Sequence, residues 1–404
     1  MISDEVEPTK KKKKTVPDEL PSMFSSLPDE IIENILARVS RWKYPSLSLV
    51  SKRFHSLLSS MDIYKARSQI GSNETCLYIW LKLPGHPCAS WFSLRTRPNN
   101  QNRTKRRKGK ISFKRDSSVM SVVPIPSYSS TDSNFPELSY IKTVGPEIYI
   151  IGGSYNKEPS SSVRIFDCRN HTWRDAPNMT VARENAQTVL VDEKIYVMGG
   201  CDIDKYYANW IEIFDVRTQA WTALPGPGAD DEDELRNHLR KNNSKYYIVN
   251  VFKGKFYLAA DEKEYSYEPK NENSSFVSGP VQIWGKIGGD IICGCTGSGH
   301  LMWSGFENEG IEWSGIKGLE ELREHPTRGL ETGSKFGQLL VMWDRYPPSV
   351  SSSSIKRNSK IRYAEISLES RRNGREMWGK VECVDVLTFP VESYEWFDCV
   401  AASV

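Results

Sequence analysis

The sequence predicts a mostly β protein that carries a small α-helical module near its N-terminus. The chain of 404 residues is rich in residues typical of strands and tight turns, with 12 Trp, 18 Tyr, 14 Phe, 27 Gly and 22 Pro. Residues 140–186 and 187–235 repeat one another, which indicates a repeated β unit. Two short stretches between residues 26 and 58 place their apolar residues at helical spacing instead.

Composition and charge limit the class of protein. The 54 Lys and Arg residues nearly balance the 51 Asp and Glu residues, and the net charge of +3 does not favour a nucleic-acid partner. No stretch approaches the roughly 18 apolar residues of a membrane span, so we expect no membrane partner. The N-terminus starts with acids and lysines without an apolar run behind them. We therefore expect no secretory signal, and a reducing location in the cytoplasm and/or nucleus for the eight cysteines.

The N-terminal part divides into a charged tail, predicted to be disordered over residues 1–21, and a helical module over residues 22–66. Ser26 is the predicted cap of the first helix, and Pro28 suits its first turn. Apolar stripes at helical spacing then predict two or three short helices: Leu27, Ile31, Ile35, Leu36 and Val39, followed by Leu47, Val50, Phe54, Leu57 and Leu58. About 40 residues form a marginal core, so part of this apolar surface should belong to a partner.

The same residues carry a resemblance. The run from Leu27 to Ile32, the pair Ile35-Leu36 and the segment from Leu49 to Leu58 resemble an F-box in order and separation. The resemblance implies docking onto the Skp-type adaptor of a cullin-RING ubiquitin ligase. The residues that it assigns to adaptor binding are Leu27, Pro28, Ile31, Ile35, Leu36, Leu47, Val50, Phe54 and Leu57. Charged residues in place of Ile31 and Leu47 are expected to abolish that contact. The alternative is a helical cap that packs on the next domain.

The β part, residues 76–404, rests on repeated landmarks. An apolar run that ends in Gly152-Gly153 has a second copy that ends in Gly199-Gly200. A strand that ends in Phe-Asp also has a second copy 48 residues later, and Trp173 has its counterpart at Trp221 with the same offset. The run predicts a buried strand whose end turns where no Cβ fits, and each Trp is expected to wedge between neighbouring sheets. This unit resembles the kelch repeat, which implies one blade of a β-propeller.

Weaker copies of the unit extend the repeat toward the C-terminus. They run through Phe256–Ala260, Ile291–Gly294 and Leu339–Met342. The strand at residues 77–81 lacks an inner neighbour, which residues 398–402 can supply. Such pairing of the two ends removes open sheet edges. The sequence thus predicts about six blades closed by N- and C-terminal strands.

Catalytic and metal-binding motifs are weak. The six histidines have no metal-ligand spacing, and the pair Cys293-Gly-Cys295 lacks the spacing of a zinc knuckle. We therefore predict no metal, no cofactor and no catalytic residue. A kelch-type copper oxidase, with His and Tyr ligands near the propeller axis, remains the alternative from the enzyme class.

Two further features concern partners. A basic insert at residues 97–118 contains six positive charges in eight residues, and it is a nuclear-import signal, a patch for an acidic partner or a solvated loop. Arg183 follows the blade residue Trp173 and resembles the kelch arginine that points to a bound partner. It is the predicted target-binding residue. An arginine that merely fastens adjacent blades is the alternative.

These features favour a two-part adaptor, in which an F-box binds the Skp-type subunit and a kelch propeller holds a target protein for ubiquitination. The pairing is similar to the plant F-box/kelch family and implies no active site in this chain. A scaffold that binds a partner without ubiquitination is the other alternative. The sequence does not identify the target, since propeller loops vary freely on a fixed frame.

Overall fold

The structure is a computed structural model in which two compact units follow one another, residues 1–72 and 73–404. It describes residues 26–86, 89–96, 120–125, 140–155, 158–227, 234–240, 246–252, 255–260, 263–268, 273–276, 283–288, 291–295, 300–305, 313–322, 329–332, 338–343, 357–372 and 374–404. The predicted tail at residues 1–21 and the whole basic insert at residues 97–118 lie outside these ranges.

The described part of the first unit is helical. Its elements are α1 (Asp29–Ala37), a 3-10 turn (Arg41–Lys43), α2 (Tyr44–Leu47), α3 (Lys52–Ser59) and α4 (Asp62–Gln69). Their common core consists of Ile32, Leu36, Ala37, Tyr44, Leu57, Leu58 and Ile63. Helix α4 lies beyond the stripes that the sequence revealed, and it contributes the fully buried Ile63 to this core.

The start of the first helix differs from the prediction that Ser26 caps it. Helix α1 begins after Pro28, which occupies the cap position without a side-chain hydrogen bond, so the prediction that Ser26 caps this helix is wrong. Proline has no side-chain acceptor, and Ser26 stands two residues too early to replace it. Helix α3 has the ordinary arrangement, because the Ser51 hydroxyl accepts from the Phe54 N–H at 3.1 Å.

The second unit contains six four-stranded antiparallel sheets in its described residues, which we call blades 1 to 6. Blade 1 consists, from its inner to its outer strand, of β26 (Trp396–Ser403), β1 (Thr75–Lys82), β2 (Ala89–Thr96) and β3 (Met120–Pro124). In the same direction, blade 2 consists of β4 (Tyr140–Val144), β5 (Glu147–Ile151), β8 (Val163–Asp167) and β9 (Thr172–Ala176), with a small hairpin of β6 (Ser154–Tyr155) and β7 (Glu158–Pro159) beside it. Blade 3 consists of β10 (Gln187–Val191), β11 (Lys194–Met198), β12 (Ile211–Asp215) and β13 (Ala220–Leu224).

The other three blades repeat this order. Blade 4 consists of β14 (Tyr246–Phe252), β15 (Lys255–Ala260), β16 (Lys263–Glu268) and β17 (Asn273–Phe276). Blade 5 consists of β18 (Ile283–Gly288), β19 (Ile291–Cys295), β20 (Leu301–Gly305) and β21 (Ser314–Gly315). Blade 6 consists of β22 (Gly329–Thr332), β23 (Gln338–Trp343), β24 (Arg357–Arg371) and β25 (Glu376–Tyr394). Helix α5 (Glu234–Arg240) and 3-10 turns at Tyr207–Asn209 and Glu320–Leu322 lie between strands.

The blades form a β-propeller that the two ends of the unit close together. Strands β26 and β1 pair antiparallel over eight residues, with Thr75 opposite Ser403 and Lys82 opposite Trp396. Glu74 and Val404 then exchange two backbone hydrogen bonds of 2.7 and 2.9 Å. The inner strands contact one another between blades 1 and 2, 2 and 3, 3 and 4, 5 and 6, and 6 and 1. The predicted propeller is confirmed, and the described residues form six sheets, one of which is completed by the terminal strands as expected.

Apolar cores fill the spaces between adjacent blades. The core between blades 2 and 3 contains Ile151, Ile165, Val197 and Phe214, all at most 1% exposed. Since a fully buried side chain of this kind stabilises a protein by roughly 1.5–3 kcal/mol, each blade depends on its neighbours for a large part of its stability.

Candidate interaction sites

The structure divides the nine predicted adaptor-binding residues into two sets. Leu36 and Leu57 are buried in the core of the helical unit, at 3% and 7% exposure. Leu27, Leu47 and Phe54 are half-buried and pack against that core. These five residues hold the helices together, so any contact with a partner must come mainly from the others.

The other four, Pro28, Ile31, Ile35 and Val50, are exposed. Ile31 is 47% exposed, Ile35 38% and Val50 66%. Leu49, which the sequence reasoning missed, is 86% exposed. Its position beside Val50 could have indicated this exposure, because two adjacent residues of a helical segment cannot both lie on one buried stripe. Large apolar side chains that a folded domain leaves in solvent mark an interaction surface. We call Ile31, Ile35, Leu49 and Val50 the apolar surface of the helical unit.

A buried arginine holds the end of the helical unit together. Arg67 of α4 is 1% exposed, and its guanidinium donates to the carbonyls of Ala37 (3.1 Å), Val39 (2.8 Å) and Ser72 (2.6 Å) and to the Tyr44 hydroxyl (3.1 Å). These acceptors lie at the C-terminal end of α1, at the start of α2 and after α4. Arg67 therefore fixes three segments of the unit at once.

In the propeller, Arg183 lies in the connection from β9 of blade 2 to β10 of blade 3. Its main chain belongs to blade 2, because its N–H donates to the Ser160 carbonyl at 2.9 Å and its carbonyl accepts from Gly153 N–H at 2.8 Å. Its side chain reaches blade 3, where Nη2 forms an ion pair of 2.9 Å with Glu212 of β12. Nη1 donates to the carbonyls of Gly199 (2.7 Å) and Trp210 (2.9 Å), and Nη2 also donates to that of Asn209.

Glu212 of blade 3 accepts hydrogen bonds from the connection that leads out of blade 2. Its Oε1 accepts from the N–H and the hydroxyl of Thr180, both at 2.7 Å, and its Oε2 accepts from Val181 N–H at 3.2 Å. Arg183 is 0% exposed and Glu212 is 1% exposed on their side chains. The prediction that Arg183 points to a bound partner is therefore wrong, because its guanidinium is out of solvent and bonded within the protein. Arg183 fastens blade 2 to blade 3.

Sequence reasoning missed Glu212, although a signal was present. Glu212 lies between Ile211 and Ile213 in a strand that is apolar up to its last residue, a position where an unpaired charge is costly. A charge at such a place requires a partner of opposite sign nearby in the fold.

The glycine pairs make room for these connections. Gly152, Gly153, Gly199 and Gly200 all have positive φ, at 62°, 98°, 68° and 68°. A Cβ on Gly152 would lie 2.7 Å from the Arg183 carbonyl oxygen, and one on Gly200 would lie 2.6 Å from that of Glu184. The incoming connection thus passes against the glycine backbone, which is a close approach that other residues block.

The two blade tryptophans lie on outer strands and contact the preceding blade. Trp173 packs on Phe166 with ring centroids 4.7 Å apart and meets Trp91 of blade 1 edge-on at 5.8 Å. Trp221 packs on Phe214 at 4.9 Å, and its Nε1 donates to the Pro177 carbonyl at 2.8 Å. Each ring therefore joins its own blade to the one before.

The connections around blades 2 and 3 present polar groups to solvent. Thr180, Asn185, Asp202, Asp204 and Lys205 are exposed there. Hydrogen bonds from Arg240 and then Arg236 lower the pKa of the Asp204 carboxyl, and these two arginines project from α5. Asn209 donates to the Thr180 hydroxyl at 3.0 Å, so the two connections are tied together. We call the surface formed by residues 177–186 and 199–210 the blade 2–3 rim.

The described residues give little indication of a catalytic or metal-binding site. They contain no group of three or more His, Cys, Asp or Glu side chains placed to hold a metal ion. Burial raises the pKa of the Cys201 thiol, and Cys76, Cys168, Cys293 and Cys399 are buried. Among the described helices, none has the length and apolar character needed to cross a bilayer.

Comparison with known proteins identifies both units. Residues 24–66 match the family model of the F-box domain, and residues 91–388 match that of the FKB95 Kelch-repeats domain. An F-box/kelch-repeat protein of Arabidopsis thaliana, At5g39560, is 41% identical over 429 residues, which cover 100% of this chain and 98% of the relative. A second from the same plant, At4g19870, is 36% identical over 420 residues and covers 98% of both chains.

The chain belongs to the F-box/kelch-repeat family. The helical unit is its F-box and the propeller is its kelch domain. This combination implies a substrate-adaptor role of the SCF type, in which an F-box binds a Skp-type adaptor and a propeller binds a target.

Proposed function

We propose that this chain is the substrate receptor of an SCF-type ubiquitin ligase. Its F-box docks on a plant Skp-type adaptor through the apolar surface of Ile31, Ile35, Leu49 and Val50. That surface is the observation that carries the proposal, because it stays in solvent after the unit has formed its own core. Burying four such side chains on a partner would contribute several kcal/mol, at about 25 cal/mol per Å² of apolar area.

The kelch domain holds the target protein at the blade 2–3 rim. Its exposed groups, Asp202, Asp204, Lys205, Thr180 and Asn185, offer charges of both signs and hydrogen-bonding side chains. The buried side chain of Arg183, in the first connection of this rim, donates to the Gly199 and Asn209 carbonyls of the second and keeps the two connections in one arrangement. A rim ordered before binding loses less conformational entropy when the target docks.

The contribution of this chain to ubiquitination is proximity. A receptor that holds the target and the ligase together raises the effective concentration of target lysines near the ubiquitin-charged enzyme. No group of this chain needs to take part in the chemical step. We propose the cytoplasm and/or the nucleus as the place of action.

Affinity capture from plant cells with the proteasome blocked tests this function. The intact chain is compared with the double variant Ile31→Asp/Val50→Asp, which replaces two exposed residues and leaves the core intact. Leu47, the residue that sequence reasoning selected, packs against the core, so a charge there would confuse unfolding with lost binding. We expect the Skp-type adaptor and a cullin with the intact chain only. Both chains should capture the target, which should be ubiquitinated with the intact chain and much less so with the variant. Equal capture of the adaptor by both chains would overturn the proposal. A captured partner whose abundance and ubiquitination do not respond to the variant would indicate a scaffold instead.

A further inference from the structure

The first helix of the F-box lacks the local device that normally holds a helix start. The first N–H groups of an α-helix have no partner within the helix, and a capping side chain usually satisfies one of them. In α1 the cap position is Pro28, whose carbonyl accepts from Ile31 and Ile32 N–H at 3.2 Å but whose side chain accepts nothing. Ile31, which belongs to the apolar surface, lies in this weakly capped turn.

A side chain from another helix holds the start of α1 instead. Arg53 lies in α3, and its Nε donates to Asp29 Oδ1 at 2.7 Å. Its Nη2 donates to the Leu27 carbonyl at 2.5 Å. The planar guanidinium thus binds one acceptor on each side of Pro28, which a lysine ammonium on a flexible stem cannot reproduce.

The same arginine is close in sequence to the other part of the apolar surface. Leu49 and Val50 precede Ser51, the cap of α3, and Arg53 is in the first turn of that helix. Arg53 therefore connects the two elements that carry the exposed apolar side chains, α1 with Ile31 and the turn before α3 with Leu49 and Val50. Asp29 and Arg53 are 24 residues apart in the sequence, so only a tertiary contact can fix the relative placement of the two elements.

We propose that Arg53 is a positioning residue for adaptor binding, an inference that rests on the proposed function of the F-box. It keeps the start of α1 in the arrangement that presents Ile31 together with Val50. Without it the binding-competent arrangement is populated only part of the time, and the apparent affinity falls by that fraction. The contact itself is partly solvated, with side chains 35% and 58% exposed, so its loss should leave the unit folded.

The test measures binding of the purified full chain to a purified plant Skp-type adaptor by calorimetry, for wild type, Arg53→Ala, Arg53→Lys and Lys65→Ala. Lys65→Ala is the matched control, because it removes an F-box ion pair of similar length, 2.8 Å to Asp62, away from the start of α1. Hydrogen exchange of the Ile31 and Ile32 amides reports the local effect, and thermal unfolding reports the global one.

We expect Arg53→Ala to weaken binding about tenfold, with faster exchange at Ile31 and Ile32 and an unchanged unfolding midpoint. Arg53→Lys should recover part of the affinity, and Lys65→Ala should bind like wild type. If Arg53→Ala binds like Lys65→Ala, or weakens binding only in proportion to a global loss of stability, the positioning role is wrong. Should Arg53→Ala fail to fold, binding and thermal unfolding of Arg53→Lys decide. Binding weaker than that of Lys65→Ala at an unchanged unfolding midpoint supports the positioning role, and binding equal to that of Lys65→Ala contradicts it. Failure of the proposed function is distinct, since Ile31→Asp/Val50→Asp would then bind the adaptor normally.

Discussion

Arg183 and Glu212 form a buried ion pair of 2.9 Å that joins two blades of the propeller. The arginine belongs by its backbone to blade 2, and the glutamate belongs to the central part of blade 3. Each charge has further partners, which are backbone carbonyls for the guanidinium and the N–H groups of Thr180 and Val181 for the carboxylate. A pair that is desolvated but fully hydrogen-bonded is costly to break by removing one member.

The first prediction follows from the cost of removing one member of this buried pair. Arg183→Met should lower the free energy of unfolding of the kelch domain by about 3–5 kcal/mol, because it leaves the buried Glu212 charge without its cation. Arg217→Met is the control, since Arg217 pairs with Glu193 at the surface with 79% and 51% exposed side chains, and it should cost no more than about 1 kcal/mol. Chemical denaturation measures both. Equal costs for the two variants would contradict the role assigned to Arg183.

A second prediction concerns the glycine that the connection passes. Gly152→Ala should destabilise the kelch domain by about 3 kcal/mol or more, because the alanine must adopt positive φ and its Cβ would lie 2.7 Å from the Arg183 carbonyl oxygen. Gly145→Ala separates the two causes. Gly145 lies in the same blade with φ of 58°, and a Cβ added to it would have no atom within 4 Å. Gly145→Ala should therefore lower the free energy of unfolding by only about 1 kcal/mol, the cost of holding an alanine at positive φ. Thermal unfolding of both variants checks the difference, and similar losses would show that the close approach is unimportant.

The propeller could be predicted from the sequence because its signals are local and repeated. The run that ends in Gly152-Gly153 and its copy at Gly199-Gly200 report strands and turns directly, and the unpaired strand at residues 77–81 required an inner neighbour. The role of Arg183 could not be predicted in the same way. Its burial depends on Glu212, which lies 29 residues away in another blade. A motif resemblance indicates where an arginine lies in the chain and not whether its guanidinium reaches solvent.

The F-box shows the same limit at one helix. Helix α1 has isoleucines at 31, 32 and 35 and a leucine at 36, which cover two faces. The structure buries Ile32 and Leu36 and leaves Ile31 and Ile35 exposed. Helical spacing alone cannot divide these residues between the core of the unit and a partner, because both faces are apolar. Packing against α3 and α4 makes that division.

The third prediction concerns the buried arginine of the F-box. Arg67→Met should unfold or strongly loosen the helical unit, because the carbonyls of Ala37, Val39 and Ser72 lose a charged donor in a small core. A loss of about 3 kcal/mol is comparable to the whole stability that a core of this size usually supplies. Hydrogen exchange of α1 and α3 measures it. Arg38→Met, at an exposed position after α1, is the control and should leave exchange unchanged.

The fourth prediction concerns pH. Desolvation on the inner strand β26 raises the pKa of the Asp398 carboxyl to about 7, against 3.8 for the ordinary group, although the Cys399 N–H, which donates to it at 2.8 Å, opposes the rise. Between these two values the folded chain holds a proton that the unfolded chain has released, so the stability of the propeller falls as pH rises through this window. Asp398→Asn should remove that loss and raise the unfolding temperature at pH 8 relative to wild type. The gain should be about 1 kcal/mol, since the side chain retains contact with solvent.

Asp215 provides a control of opposite sign for this experiment. The N–H groups of Thr218 and Arg217 lower the pKa of its carboxyl, so its charged form stabilises the fold above pH 4. Asp215→Asn should therefore lower the unfolding temperature at pH 8, where Asp398→Asn raises it. An unfolding profile of Asp398→Asn that runs parallel to wild type from pH 5 to 8 would contradict the account of Asp398.

The central claim is that the F-box of this chain binds a plant Skp-type adaptor through its exposed apolar surface. Calorimetric titration of the purified full chain with the purified adaptor tests it most directly, for wild type, Ile31→Asp/Val50→Asp and Val384→Asp/Val386→Asp. The last pair places the same charges on exposed valines of blade 6, at 53% and 43% exposure. We predict equal binding of wild type and the blade 6 variant, and at least about 100-fold weaker binding of the F-box variant with an unchanged unfolding midpoint. Binding of the folded F-box variant as tight as wild type would contradict the claim.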